Sequence, residues 1–192
     1  MAVEAVVFDV GETLVDETNM WTRAAEAAGI TPFTLMAGLG ATIALERPHG
    51  DVWELLGVEH PAGTWTMDDW YPDARPCLER LRAAGYRVCA CGNTPAFVER
   101  DLAPLVDAVA SSESLGVWKP APEFFERVVE LAGVPAAKIA YVGDRVDNDV
   151  APAIAAGMAG VHIRRGPWGY LQQAPAGAIR IRSLDELPEV LA

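Results

Sequence analysis

Ala5-Val6-Val7-Phe8-Asp9-Val10-Gly11-Glu12-Thr13-Leu14 decides the fold. An apolar, β-branched run ends in a carboxylate, followed by glycine and turn-forming residues. Such a run without polar alternation reads as a strand covered on both faces, the usual state of a parallel sheet. Working outward, similar short runs occur at Ala5–Val10, Arg87–Cys91, Ala108–Ser111, Ile139–Val142, Gly160–Arg164 and Ala178–Ile181. Helical patterns separate most of them: Asp73–Ala84, Pro95–Leu102, Pro122–Ala132, Asn148–Ala156 and a terminal Leu184–Leu191. Pro95 and Pro122 suit first-turn positions, and Gly85, Gly133 and Gly157 suit stops. Strand–helix–strand alternation implies right-handed crossovers, so the expected fold class is α/β with a doubly wound parallel sheet.

One stretch breaks the rhythm. Between the first strand and Tyr71 there are only helical pieces, around Met20–Ala28, Phe33–Leu45 and Val52–Leu56. The expected division is therefore an α/β core of residues 1–14 and 72–192, with a small all-helical cap, residues 15–71, inserted after strand one. Four of the six tryptophans fall in the insertion: Trp21, Trp53, Trp65 and Trp70. Large aromatics give a small lobe its core; the sharper reading places one or two of them in a substrate pocket.

The 192 residues suit one core with a modest insertion, and 51% hydrophobic with 22% charged residues is ordinary for a globular protein. A net charge of −12 disfavours nucleic acid and anionic membranes, which attract basic surfaces. Cys89 and Cys91, two apart on a strand, share a face; with Cys77 they make an odd set of buried thiols, expected in a reducing compartment. No basic leader, cleavage site or membrane-length apolar run opens the chain, so a cytoplasmic location is expected.

Open parallel sheets bind ligands beyond the carboxyl ends of their strands. Strand one ends at Asp9; strand two ends Cys91-Gly92-Asn93-Thr94; Trp118-Lys119-Pro120 follows the third; strand four ends Val142-Gly143-Asp144-Arg145-Val146-Asp147-Asn148-Asp149. A carboxylate, an amide, a lysine and an acidic cluster thus converge on one edge. Asp9 can act as a covalent nucleophile on phosphorus. A carboxylate approaching a phosphate dianion meets charge repulsion, and Asp9 with Asp144, helped by Asp149, offers hard oxygen ligands for Mg²⁺. Lys119 offsets the negative charge, and backbone N–H groups around Gly11–Glu12 and Asn93–Thr94 offer a phosphate cradle.

Phe-Asp-x-x-x-Thr-Leu, Gly-Asn, Trp-Lys-Pro-x-Pro and Val-Gly-Asp-x-x-x-Asn-Asp, each at a strand end and in this order, resemble the four motifs of the haloacid-dehalogenase superfamily. The insertion sits where that family places its helical cap. The resemblance implies Asp9 as nucleophile and metal ligand, the Gly11 carbonyl as a second ligand, Lys119 as the phosphate-binding lysine, Asp144 as the principal acidic ligand and Asp149 as ligand or support. It implies a Mg²⁺-dependent hydrolase, a monomer or homodimer acting on a small phosphorylated metabolite. Two positions depart from the pattern. The family's phosphatases usually carry a general acid–base Asp two residues after the nucleophile, where this chain has Gly11; such proton delivery contributes about 10²–10⁴-fold. Glu12 and Asp16 are the nearest substitutes, read otherwise as a structural residue and a turn residue at the cap hinge. Gly92 stands where the family has Ser or Thr, leaving Thr94 to supply a hydroxyl. Metal-free dehalogenation and a non-catalytic phospho-ligand-binding role are the competing functions. The retained Asp144 argues against the first, and the intact Asp9–Lys119–Asp144 set against the second. Arg164, Arg165 and the segment Gly166–Tyr170 are expected to be a solvated basic pair and loop packing.

Overall fold

The computed structural model describes residues 2–63 and 66–191; Trp65 lies outside the described residues. Six strands form one parallel sheet: β1 (Ala5–Phe8), β2 (Arg87–Gly92), β3 (Ala108–Ser111), β4 (Ile139–Gly143), β5 (Ala159–Ile163) and β6 (Ile179–Ile181), in the order β3-β2-β1-β4-β5-β6. Phe8 pairs with Ala90 on one side and Val142 on the other. The chain winds from β1 toward β3, then crosses back to add β4 on β1's far side. That reversal opens a crevice at the carboxyl ends of β1 and β4, the place where such sheets bind ligands.

The apolar runs do not alternate with polar residues because both faces are covered. Val6, Phe8, Val88, Ala90, Ala140 and Val142 point into one core with Leu78, Leu81, Leu102, Leu184 and Leu187. Ala5, Val7, Cys89, Cys91, Ile139 and Tyr141 point into the other, against Phe124, Phe125 and Val128 of helix Pro122–Ala132. Cys89 and Cys91 share a face, and burial pushes the Cys91 thiol up to about 12, which leaves it inert at neutral pH.

Helices Thr18–Ala27, Pro32–Ala44 and Val52–Leu56 form a third cluster around Met20, Trp21, Leu35, Leu39, Val52 and Trp53. Among the described residues no single helix is long and apolar enough to cross a membrane. The chain enters and leaves this layer side by side: Val15 bridges Trp70 antiparallel, Asp16 N–H donates to Asp69 O at 2.7 Å, and Tyr71 N–H donates to Leu14 O at 3.0 Å.

Two expectations about the C-terminal half change. Gly166–Leu171 is a short helix rather than a loop, and Trp168 is buried in the cluster of the inserted helices, with the Arg145 guanidinium 4.8 Å above its ring. Arg165 is also buried rather than solvated. It donates to Thr13 O at 2.8 Å, pairs with Asp73 and lies 4.1 Å over the Tyr71 ring. A guanidinium covered in this way needs partners for its donors, and it finds them on two segments distant in sequence, around Thr13 and around Asp73. Ser183 and the Leu184 N–H also donate to Asp73 Oδ2, at 2.7 and 2.9 Å. Burial alone would raise the Asp73 carboxyl, but Ser183 and Arg165 outweigh it and hold it below the ordinary 3.8. A depressed acid stabilises the fold above the unfolded value, and loses that contribution as pH falls through the folded one. Asp73→Asn is therefore expected to cost about 3 kcal/mol at pH 7, since it strands Arg165. In urea titrations at a series of pH values, its gap from wild type should close only below 3.8. A gap that stayed constant into acid would remove the charge from the explanation.

Candidate active site

The carboxyl edge of the sheet carries a cavity of about 530 Å³, floored by strand ends and roofed by the inserted helices. Asp9 follows β1, and Asp144 follows β4 with its carbonyl 3.0 Å from His162 Nε2. Asp149 comes from a π-helical turn, Val146–Val150, where helix Asn148–Ala156 was expected to begin; the α-helix itself runs Ala151–Ala155. The wider turn lets Asp149 Oδ2 accept the Arg145 N–H at 3.0 Å and points the carboxylate beneath the floor. Carboxylate oxygens of Asp9, Asp144 and Asp149 lie within 4.8 Å of one another.

Lys119 binds this acidic set together. Its Nζ donates to Asp9 Oδ1 and to Asp149 Oδ1, each at 2.6 Å, with the lysine side chain 2% exposed. Burial alone would depress the ammonium; Asp149 and Asp9 outweigh it and raise its pKa. Burial, offset mainly by Lys119, brings Asp149 to about 6. Burial first, then Asp149 and Asp9, push Asp144 well above the ordinary aspartate value. Three clustered carboxylates thus stand beside one ammonium that bonds two of them, and among the described residues the buried Asp144 Oδ2 has no hydrogen-bond partner. A buried, unpartnered carboxylate oxygen beside a second carboxylate fits a hard divalent cation such as Mg²⁺.

Asn93 lines the cavity, and its side chain also holds the Lys119 backbone from both sides: Oδ1 accepts the Lys119 N–H at 2.8 Å, and Nδ2 donates to Lys119 O at 3.0 Å. Thr94 and Glu12 line the cavity too, with their own N–H groups donating to Gly92 O and Val15 O. Glu12, at φ 50°, has both carboxylate oxygens engaged: Oε1 accepts the Glu17 N–H at 3.0 Å, and Oε2 the Tyr71 hydroxyl at 2.6 Å. One carboxylate therefore ties the entry of the helical layer to its exit. Burial, only partly offset by the Tyr71 bond, raises the Glu12 pKa. Asp16 caps the next turn through the Thr18 N–H at 2.9 Å.

Both departures from the motif pattern have steric counterparts. A Cβ on Gly92 would stand 2.5 Å from Asp9 Oδ1, so this arrangement of the carboxylate leaves no room for a side chain there. A Cβ on Gly11 would collide with the carboxylate of Glu17, which lines the cavity beside Asp9. Reading the motifs misses Glu17, as it misses the cavity positions of Arg145 and Trp168. No spacing rule links residue 17 to residue 11 once the chain has turned into the insertion.

A parallel sheet of this order with an acidic, lysine-bridged strand edge is the architecture of a class of hydrolases. The family model "Hydrolase: haloacid dehalogenase-like hydrolase" matches residues 3–157, and the chain belongs to that family. Over 217 aligned positions it is 30% identical to a phosphoglycolate phosphatase of Cereibacter sphaeroides, covering 97% of this chain and 96% of that one. Over 127 positions it is 33% identical to a glyceraldehyde 3-phosphate phosphatase of Methanocaldococcus jannaschii; this match spans 63% of the chain and only 56% of the relative. The L-2-haloacid dehalogenase of Xanthobacter autotrophicus superposes with a TM-score of 0.72 at 21% identity, covering 98% of each chain, a likeness of fold.

Proposed function

We propose that this hydrolase is a Mg²⁺-dependent phosphatase of small organic phosphomonoesters, working through an aspartyl-phosphate on Asp9. The observation that carries the reading is the charge balance of the floor: three buried carboxylates cluster beside one ammonium, with Asp144 Oδ2 unpartnered among the described residues. Metal-free attack on carbon would gain nothing from that surplus, whereas a cation–phosphate pair needs it. Asp9, Asp144 and the Gly11 carbonyl would hold the ion. Asp149, both of whose oxygens already accept protein donors, supports Lys119. Bound there, Mg²⁺ neutralises charge on the transferring phosphoryl group.

Asp9 attacks phosphorus, and Lys119 holds the nucleophile oriented while balancing the phosphoryl oxygens. The roof is largely apolar: Met20, Trp21, Ala24 and Trp53 line it beside Glu17, His49 and His60, while the Arg145 guanidinium is taken by Asp147 at 2.7 and 3.1 Å. That surface suits an uncharged, apolar leaving group better than a second anion. The test is phosphate release from 4-nitrophenyl phosphate by the purified chain, with Mg²⁺, with chelator, and in Asp9→Asn. Mg²⁺-dependent release supports the reading. Chelator-insensitive release, or turnover of 2-haloacids alone, overturns it.

A further inference from the structure

We propose that Glu17 is the proton-transfer residue of this active site, reaching across from the inserted helical layer; the role rests on the phosphatase reading above. An alkyl phosphate loses its alcohol slowly unless the departing oxygen takes a proton as the bond breaks. The acidic groups that line the cavity near Asp9 are few. Asp9 itself makes the bond to phosphorus. Asp144 lies buried on the cation side. Both oxygens of Glu12 are held by the Tyr71 hydroxyl and the Glu17 N–H. Lys119 is locked between two carboxylates. His49 stands edge-on between Trp21 and Trp168, with Arg145 Nη1 3.3 Å from its Nδ1. Glu17 lines the cavity as well, as does His60 stacked on Trp53, and it is the position of Glu17 that is specific.

Its carboxylate fills the space that a side chain on Gly11 would occupy, two residues beyond the nucleophile. The Trp21 indole N–H donates to Glu17 Oε2 at 3.2 Å, and Oε1 is the oxygen that lies against Gly11. The Glu17 backbone is fixed in turn by Glu12, the residue after Gly11. Gly11 and Glu17 therefore form a complementary pair. Any Cβ at position 11 would displace the carboxylate, and the absence of one lets residue 17 deliver a carboxyl group to the mouth of β1.

In the first half-reaction an Asp9 oxygen bonds to phosphorus, the bond from phosphorus to the leaving oxygen breaks, and that oxygen takes the Glu17 carboxyl proton. In the second, water attacks the phosphorus, its proton passes to the Glu17 carboxylate, and the Asp9 carboxylate departs. The sum is one ester and one water giving one alcohol and one phosphate, with both side chains restored.

Leaving-group dependence tests this in the full chain with Mg²⁺. kcat/KM is measured for 2-phenylethyl phosphate, whose alcohol is a poor leaving group, and for 4-nitrophenyl phosphate, whose phenolate needs little help. Glu17→Gln, which keeps an acceptor for Trp21, should lower the first by roughly 10²–10⁴-fold and the second by less than about tenfold. Gly11→Asp placed in a Glu17→Ala background, where the space is vacated, should restore part of the activity on the alkyl ester. Equal losses on both substrates would make Glu17 merely structural and overturn the proposal, as would no loss on either. If wild type released phosphate from neither ester, the phosphatase reading itself would fail and take this proposal with it.

Discussion

Asp9→Asn is expected to abolish phosphate release, by roughly 10⁴-fold or more, because a covalent mechanism without its nucleophile retains only positioning and electrostatic help. The substitution is isosteric, and an amide oxygen still accepts from Lys119 Nζ, so the 2.6 Å contact has a neutral successor and the floor keeps its packing. Removing one of three clustered carboxylates also relieves crowding of charge, so the variant should fold at least as stably as wild type without metal. Loss of turnover with undiminished stability is thus the signature of a nucleophile. The direct measurement is acid quenching after exposure to labelled phosphoester: wild type should carry protein-bound phosphate, and Asp9→Asn none. Retained turnover within tenfold would show that Asp9 is not the attacking group.

Lys119→Met should have the second largest effect, and on two observables. It leaves Asp9 and Asp149 without their counter-charge in a site from which water is largely excluded. Breaking a buried pair by removing one partner typically costs about 3–5 kcal/mol. The cost has a pH signature. Asp149 titrates at about 6 in the fold against 3.8 ordinarily, so it is a raised acid. Its protonated form favours the native state at low pH, and that help is lost as the pH rises through about 6. Without Lys119 its ionisation becomes costlier still, so the gap in urea midpoint between variant and wild type should widen above that pH. Chelator must be present, because a bound cation would replace part of the missing charge. Activity should fall by roughly 10³-fold, as for the loss of one preorganised charge in a water-excluded site. A variant of wild-type stability at pH 8 would mean that the surplus of negative charge is not what the lysine balances.

The backbone of the fold was legible in the chain because its signals are local. Buried strands of a parallel sheet read as short apolar runs, and all six were visible, as were the longer helices between them, though not the short ones Ser112–Leu115 and Gly166–Leu171. Asp9, Lys119, Asp144 and Asp149 were legible for a related reason. A parallel sheet brings its strand ends to one edge, so residues that follow strands meet there whatever the distance between them in sequence. Arg165 and Trp168 were misread because a basic pair before Gly-Pro looks like any solvated loop. Only the fold reveals that Asp73, Thr13 and a tryptophan-lined layer lie in wait for them.

By itself, the sequence determined the order of the strands and of the longer helices, the run of helices between β1 and β2 and the edge on which the acidic residues gather. Each of those follows from the periodicity of one segment or the chemistry of one strand end. The tertiary structure alone decided what each polar group does once it arrives. Asn93 clasps the Lys119 backbone, Glu12 fastens both ends of the inserted layer, and Glu17 fills the space above Gly11. These roles depend on distances of a few ångströms between segments far apart in the chain. Such distances are set by the packing of helices on the sheet, for which a single sequence has no local signal.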